Sequence, residues 1–278
     1  MTTAAQAMVV ATARLRLAGV DDPARDARIL LAHAAKVDAS RVTLIAPDDI
    51  APEISARYEQ LIALRTQRVP VSHLIGEREF YGRRFKVSCD VLDPRPETET
   101  LIEAALAEPF ASVLDIGTGS GCILVTLLAE RESAVGIGTD LSEAACLQAA
   151  ANAVLNNVDT RAEIFHSDWF GSVRGRYDLI VSNPPYLAAT EMDDVSPELR
   201  DHEPRMALTD EADGLIGYRM LATFGQRFLD PQGRLLAEIG WQQGPEVIAL
   251  FQQAGWLNPR LLQDLDGRDR VVCAEKPT

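Results

Sequence analysis

Apolar positions change rhythm along this chain. Over the first 75 residues they recur at helical spacing, with no strand-like run between them. Ala4 to Ala18 is rich in Ala, Leu and Arg, and Gly19 suits a helix stop. Asp21-Asp22-Pro23 is a helix start, an acidic cap followed by proline at the first helical position. The helix it opens places Ala27, Leu30, Leu31 and Ala34 on one face. Pro52 opens another, with Ile54, Tyr58, Leu61, Ile62 and Arg65 at helical spacing, and Pro70 is expected to end it. Phe80 to Val87 mixes aromatic and β-branched residues around Gly82, which predicts a short hairpin. Pro94-Arg95-Pro96-Glu97-Thr98-Glu99 starts a helix running to about Glu108.

From Val113 onward short apolar runs alternate with amphipathic stretches, the signature of an α/β doubly wound sheet. Strands are expected near 112–116, 134–139, 161–166, 178–182, 233–239, 256–264 and 270–275. Helices are expected between the first five, with another near 243–254. Only Asp266-Gly267 and its neighbours separate the last two strands, which predicts an antiparallel hairpin at the end of a seven-stranded, mostly parallel sheet. The division read from this pattern is a helical domain over 1–76, a hairpin linker over 77–95 and an α/β domain over 96–278.

Composition narrows the function classes. At 47% hydrophobic and 24% charged, the 278 residues are ordinary for a globular protein. No stretch approaches the ~20 apolar residues of a membrane span. The start, Met1-Thr2-Thr3-Ala4, lacks the basic and apolar regions of a secretory signal, so a cytoplasmic location is expected. Cys89, Cys122, Cys146 and Cys273 are scattered, as are His33, His73, His166 and His202. That pattern reads as reduced thiols and isolated imidazoles, with no metal site. The net charge of −14 is uneven: residues 1–90 carry +2 and the remainder −16. A strongly acidic α/β half argues against stable nucleic-acid binding.

Four strand ends carry candidate chemistry. Val113 to Ile116 is followed by the turn Gly117-Thr118-Gly119-Ser120-Gly121 and then a helix, a nucleotide-type arrangement. The spacing is G-x-G-x-G with Asp115 two positions before the first glycine, unlike the dinucleotide fingerprint. A carboxylate there suits an ammonium or an ordered water better than a pyrophosphate. Asp140 ends the second strand, where an acid can accept both ribose hydroxyls; it or Ser142 also reads as an ordinary helix cap. Asp168-Trp169 ends the third strand, and could take an adenine amine and its ring face; Trp169 also reads as a packing residue. Asn183-Pro184-Pro185-Tyr186 ends the fourth. Two prolines cannot continue a sheet ladder, so the strand tip carries an amide, a rigid turn and an aromatic ring, which suit a small planar group bearing NH2. A plain strand-ending turn has the same composition. Taken together the sites describe an adenosyl group with a charged amino-acid tail, S-adenosyl-L-methionine, on a Rossmann-like methyltransferase fold.

The chain resembles the release factor glutamine methyltransferases. The resemblance rests on Pro94 to Glu99, Asp115 to Gly121, Ser167-Asp168-Trp169-Phe170, Ser182 to Tyr186, Glu238 to Gly244 and Asp266 to Val271, in the family's order and spacing. It spans essentially the whole chain, with a small departure at Gly138-Thr139 before Asp140. It implies a Rossmann-like class I methyltransferase fold with an N-terminal helical bundle. It also implies methyl transfer to the side-chain amide nitrogen of the glutamine in the Gly-Gly-Gln loop of peptide chain release factors. An amide nitrogen is a poor nucleophile because its lone pair is delocalised. The Asn183 side-chain oxygen and the Pro184 carbonyl would fix its NH2, while Pro185 and Tyr186 complete the substrate pocket. Arg95 and Glu97 would line the entrance, or else form an ordinary helix start with a salt bridge. No metal is implied, the partner is the release factor, and the expected state is a monomer. An adenine-N6 nucleic-acid methyltransferase, a ribosomal-protein glutamine methyltransferase and a cofactor-binding module without catalysis are the rival readings.

Overall fold

The computed structural model describes residues 2–277. It separates into two compact units. One runs to Glu77 and also takes in Ser196–His202; the other comprises Arg78–Val195 and the chain from Glu203 onward.

The first unit is helical. Helix α1 (Ala4–Leu17) begins with a capping box in which Thr3 and Gln6 satisfy each other's backbone N–H. Helix α2 (Pro23–Ala35) is capped by Asp22, which accepts from the Arg25 N–H, with Pro23 at the first position. Helices α3 (Val42–Ile45), α4 (Pro52–Thr66) and α5 (Val71–Ile75) complete it. Leu15, Leu30, Leu31 and Ile62 are fully buried between them. Helix α4 stops at Thr66, four residues before Pro70, because Arg68 turns into the left-handed region; Pro70 instead caps α5. Arg65 sits on the apolar face of α4 because its charge is paired there. Its Nε donates to Asp26 at 2.8 Å and its Nη1 to Glu198 at 2.8 Å, where Glu198 belongs to the short helix Pro197–His202. That excursion of the chain into the helical unit has no local sequence signal.

The second unit opens with the hairpin, strands β1 (Glu77–Phe80) and β2 (Arg83–Lys86), joined by Tyr81-Gly82, both at positive φ as a two-residue hairpin turn requires. Helix α6 (Glu99–Leu106) follows. The main sheet comprises β3 (Ser112–Ile116), β4 (Val135–Asp140), β5 (Ala162–His166), β6 (Tyr177–Ser182), β7 (Leu229–Glu238), β8 (Leu257–Gln263) and β9 (Asp269–Glu275). Its order is β5-β4-β3-β6-β7-β9-β8, parallel throughout except for β9, which runs antiparallel to both neighbours. Helices α7 (Cys122–Glu130), α8 (Glu143–Leu155), α10 (Arg205–Leu208), α11 (Ile216–Phe224) and α12 (Gly244–Gln253) also belong to this unit, while the Pro197–His202 helix, α9 in chain order, belongs to the first. Alternate residues of each central strand enter separate cores. Val113, Leu179 and Val181 pack with Leu101 and Leu124, while Leu114 and Ile180 pack with Tyr218 and Phe251. Burial on both faces is why these strands read as unbroken apolar runs.

Two expectations are corrected. No helix lies between β5 and β6. Residues 167–176 form a loop, with Trp169 and Gly175 at positive φ, and Phe170 stacks on Phe228 with ring centroids 4.9 Å apart. Ten residues punctuated by two left-handed positions cannot hold a packed crossover helix. Strand β7 begins at Leu229, earlier than expected, and its pairing with β6 shifts register between Tyr177/Leu229 and Leu179/Arg234.

The topology sets the site. The chain builds outward from β3 to β4 and β5, then returns to lay β6 on the other side of β3. Reversal of direction opens a crevice at the carboxyl ends of β3 and β6, where ligands bind in open α/β sheets.

Candidate functional site

The tips of β3 and β6 are adjacent rungs of one ladder, Ile116 opposite Ser182. The Ser182 hydroxyl donates to the Ile116 carbonyl at 2.7 Å and locks the two tips together. The glycine turn that follows β3 therefore lies beside the Asn183-Pro184-Pro185-Tyr186 turn that follows β6.

The glycine turn is tied down by its own amides. The N–H groups of Gly117 and Thr118 donate to the Thr139 carbonyl at 2.8 and 2.9 Å. The Gly119 N–H donates to Asp140 Oδ2 at 2.8 Å, and Asp140 Oδ1 accepts from the Ser142 N–H at 2.9 Å. Three successive amides are thus consumed internally, unlike a turn that cradles a pyrophosphate. Asn152 of α8 holds the other end: its Nδ2 donates to the carbonyls of Ser120 and Lys86 at 2.8 and 2.9 Å. Gly117 and Gly119 are left-handed, and a Cβ on either would project into open space, so the surface above the turn is clear. Gly121 is buried and left-handed, and a Cβ there would come within 3.0 Å of Ala149. It serves the approach of α7 to α8.

Asp115 is fully buried beneath this turn. Its Oδ2 accepts from the Thr118 hydroxyl at 2.8 Å, and its Oδ1 is buried without a hydrogen-bond partner. Burial pushes its carboxyl up to about 7, against the opposing pull of the Thr118 hydroxyl. Burial also raises Asp140, opposed by the backbone N–H groups it accepts from.

A cleft with about 1050 Å³ of empty space, open to solvent, runs along these strand ends. It is lined by Gly117 to Ser120, Asp140, Asp168, Trp169, Asn183, Pro184, Pro185 and Arg95, and by Pro204, Met206 and Ala207 around α10. Trp169 reaches it from a left-handed backbone position. Arg95 donates through Nη2 to Glu203 Oε2 at 2.6 Å. Asp115 and Gly121 lie below the lining and Glu97 is exposed outside it. Tyr186 is half-buried to one side, its phenol pushed up to about 12, first by burial and then by Glu238.

The Asn183–Tyr186 turn has supports that sequence reading did not assign. Gln243 donates through Nε2 to the Tyr186 carbonyl at 2.8 Å and to the Gly214 carbonyl at 3.3 Å. Its Oε1 accepts from the Gly240 N–H at 3.0 Å and the Tyr218 hydroxyl at 3.4 Å. Gly217 of α11 lets Pro184 and Trp169 close in; a Cβ there would meet them at 2.7 and 3.0 Å. Asn183 Nδ2 donates to the Thr98 hydroxyl at 3.4 Å. Thr98 and Gln243 both fall inside stretches singled out from the sequence, so their signal was position within a motif rather than chemistry.

Residues 6–76 match the PrmC N-terminal domain family, and residues 88–202 match the methyltransferase small domain family. A release factor glutamine methyltransferase of Cereibacter sphaeroides is 56% identical over 274 residues, covering 99% of both chains. Another, of Caulobacter vibrioides, is 41% identical over 279 residues, covering 99% of this chain and 96% of its own. The chain belongs to the release factor glutamine methyltransferase family. A solved methyltransferase from Pyrococcus furiosus shares the fold, with a TM-score of 0.56 at 15% identity over 72% of this chain and 91% of its own.

The fold is thus that of a Rossmann-like class I methyltransferase, and S-adenosyl-L-methionine is its methyl donor. The residues present fit that group. A buried carboxylate oxygen without a partner lies under a turn whose upper surface is clear, and Asp140 and Trp169 line the cleft from neighbouring strand ends. Among the described residues no helix is long and apolar enough to cross a membrane.

Proposed function

We propose that this methyltransferase modifies the glutamine of the Gly-Gly-Gln loop in peptide chain release factors, methylating its side-chain amide nitrogen in support of translation termination. The observation that carries the reading is the rung shared by Ile116 and Ser182, which sets the donor turn and the Asn183-Pro184-Pro185-Tyr186 turn side by side. Bound there, S-adenosyl-L-methionine supplies an electrophilic methyl on a sulfonium, so no metal is needed.

In this reading Asp115, Gly117 to Gly121, Asp140, Asp168, Trp169 and Asn183 form the donor site. Asp115 answers the ammonium, Asp140 the ribose hydroxyls, and Asp168 and Trp169 the adenine. Asn183 Oδ1 and the Pro184 carbonyl accept the two N–H groups of the substrate amide. Two acceptors fix the plane of that NH2, turn its lone pair toward the methyl and offset the positive charge growing on nitrogen. Orientation of this kind supplies roughly 7–11 kcal/mol in favourable systems. Pro185 and Tyr186 pack around the flat amide, and Arg95 and Glu97 guide the loop in. The nitrogen's surplus proton leaves to water.

Residues 1–76 act as a docking domain, 77–95 as a linker and 96–278 as the methyltransferase domain of a cytoplasmic monomer. The near-neutral N-terminal third suits a protein partner.

Radiolabelled methyl transfer tests the reading, with a release factor, the same factor with its Gly-Gly-Gln glutamine changed to Ala, and duplex DNA as acceptors. Label on the intact factor alone is the expected result. Label on DNA, or on none of the three, would overturn the substrate. Asn183→Ala should abolish turnover and leave donor binding mostly intact; equal loss of both would sink the role given to Asn183.

A further inference from the structure

Glu238 ends β7, beside the tip of β6, and its side chain is almost completely buried at 1% exposure. Its Oε2 accepts a hydrogen bond from the Thr98 hydroxyl at 2.6 Å. Thr98 is buried too, at 2% exposure, and its Oγ1 is the atom on which Asn183 Nδ2 sits at 3.4 Å. A three-residue line therefore runs from a buried carboxylate through one hydroxyl to the side-chain amide at the strand tip. We propose that Glu238, acting through Thr98, is a positioning residue that fixes which end of the Asn183 amide faces the substrate. This rests on the role of Asn183 as acceptor given above.

Proton counting carries the argument. An ionised carboxylate has only acceptors to offer. The threonine hydroxyl has one proton, and a neighbouring carboxylate is the strongest acceptor it can find. With that proton directed at Glu238, Thr98 Oγ1 presents only lone pairs toward Asn183. Only the NH2 end of an asparagine amide can pair with lone pairs. Oδ1 is then turned the other way, as an acceptor for an incoming N–H. Without the carboxylate, the hydroxyl proton is free to turn to Asn183. The amide can then pair through its oxygen and present NH2 to the substrate, a donor facing a donor. The two ends of an asparagine amide are nearly the same shape, so packing alone selects between them weakly, and the polarity of this line does the selecting.

The groups that face Glu238 are consistent with a charge held for a purpose. The Thr98 hydroxyl it accepts from, Arg270 on β9 and Arg95 before α6 favour its ionised form, while burial and Glu97 oppose it; the Tyr186 and Tyr218 phenols beside it are pushed up and stay neutral. Burial is the largest of these and holds the carboxyl up at about 7. A buried acid kept near neutrality merely to fill space would be better replaced by an apolar side chain.

Four variants test the relay: Glu238→Gln, Thr98→Val, Thr98→Ser and Asn183→Ala. Each is assayed for kcat and KM on a release factor and for binding of S-adenosyl-L-methionine by calorimetry. Glu238→Gln preserves shape but offers Thr98 an NH2 as readily as an oxygen, so the polarity of the line is no longer fixed, and Thr98→Val preserves shape and removes the hydroxyl. Both should lower kcat roughly ten- to a hundredfold, less than the roughly hundred- to thousandfold cost of removing a preorganised group outright, because Asn183 itself remains, with donor affinity changed less than threefold. Thr98→Ser restores the hydroxyl and should recover most of the rate, which a purely packing role for Thr98 would not produce. The double variant Glu238→Gln, Thr98→Val should be no worse than the poorer single variant, because both cut the same line. Wild-type kcat should fall as pH drops through about 7, and the Glu238→Gln rate should be flat there. If Asn183→Ala abolishes turnover while Glu238→Gln and Thr98→Val keep wild-type kcat, the relay is wrong and the acceptor role of Asn183 stands. If Asn183→Ala itself retains turnover, the underlying reading fails first. If Glu238→Gln loses donor affinity in step with kcat, Glu238 supports the fold and not the amide.

Discussion

Gln243 offers a clean separation of stability from turnover. Its side-chain amide bridges the Tyr186 carbonyl, the Gly214 carbonyl, the Gly240 N–H and the Tyr218 hydroxyl. It does not line the cleft. Gln243→Met keeps the length and volume of the side chain and removes all four bonds. Two of them are short, at 2.8 and 3.0 Å, and each is worth about 1 kcal/mol net. The other two, at 3.3 and 3.4 Å, add less, for a loss of about 2–3 kcal/mol. In a domain of this size that lowers Tm by about 5–10 °C. The larger effect is on turnover. Releasing the Tyr186 carbonyl frees the end of the turn that carries Asn183 and Pro184, and a displacement of 1 Å at reacting groups costs about a hundredfold. Turnover should therefore drop by about ten- to a hundredfold, more than stability alone would cause at a temperature well below Tm. Binding of S-adenosyl-L-methionine should stay within about twofold. The assays are thermal melting, donor-binding calorimetry and single-turnover methyl transfer. A variant that melts lower but transfers methyl at the wild-type rate would show that the staple holds the fold and has no part in placing the turn. Parallel loss of donor binding and turnover would refute the reasoning as well.

The remaining predictions concern charge. Asp115 is held up at about 7, so if it answers the donor's ammonium as proposed, binding below that pH must displace a proton from it. Affinity for S-adenosyl-L-methionine should be about tenfold weaker near pH 6 than near pH 8, and Asp115→Asn should flatten the profile; a pH-independent wild-type Kd would contradict this. The same raised carboxyl makes the donor-free protein lose stability as pH rises from about 4 through about 7, since the folded state there binds the extra proton. Urea midpoints across that window give the sign directly. Arg65→Met should destabilise the helical unit by about 3–5 kcal/mol, because it strands the buried Asp26 carboxylate, while Glu198 keeps its pair with Arg68. Chemical denaturation should show it, and protease cutting near residues 196–202 should rise; a loss under about 1 kcal/mol would mean the pair is well solvated.

What the sequence determined by itself was everything carried by short-range punctuation and period. Pro23 behind Asp22 starts a helix because the ring's fixed φ and missing N–H cost nothing there. Val113 to Ile116 and Leu179 to Val181 are strands because their apolar runs are too short for buried helices and end in glycine or proline. The glycine turn, Asp140, Trp169 and Asn183-Pro184-Pro185-Tyr186 were legible for the same reason: each sits at a strand end, and strand ends can be read locally. Three things could not be read that way. The helix expected between β5 and β6 failed because the length of a crossover depends on how the loop packs, and here Phe170 stacks on Phe228 within one core. The excursion of 196–202 is held by Arg65 and Arg68, some 130 residues earlier, through Glu198. The meeting of Glu238, Thr98 and Asn183 joins residues 140 and 85 positions apart. No spacing rule reaches that far, because which strand lies beside which is settled by the summed packing of both sheet faces and not by any one segment's preference. The chemistry of each strand tip is written in its own few residues; that β3 and β6 are neighbours, and so form one site, is a property of the sheet.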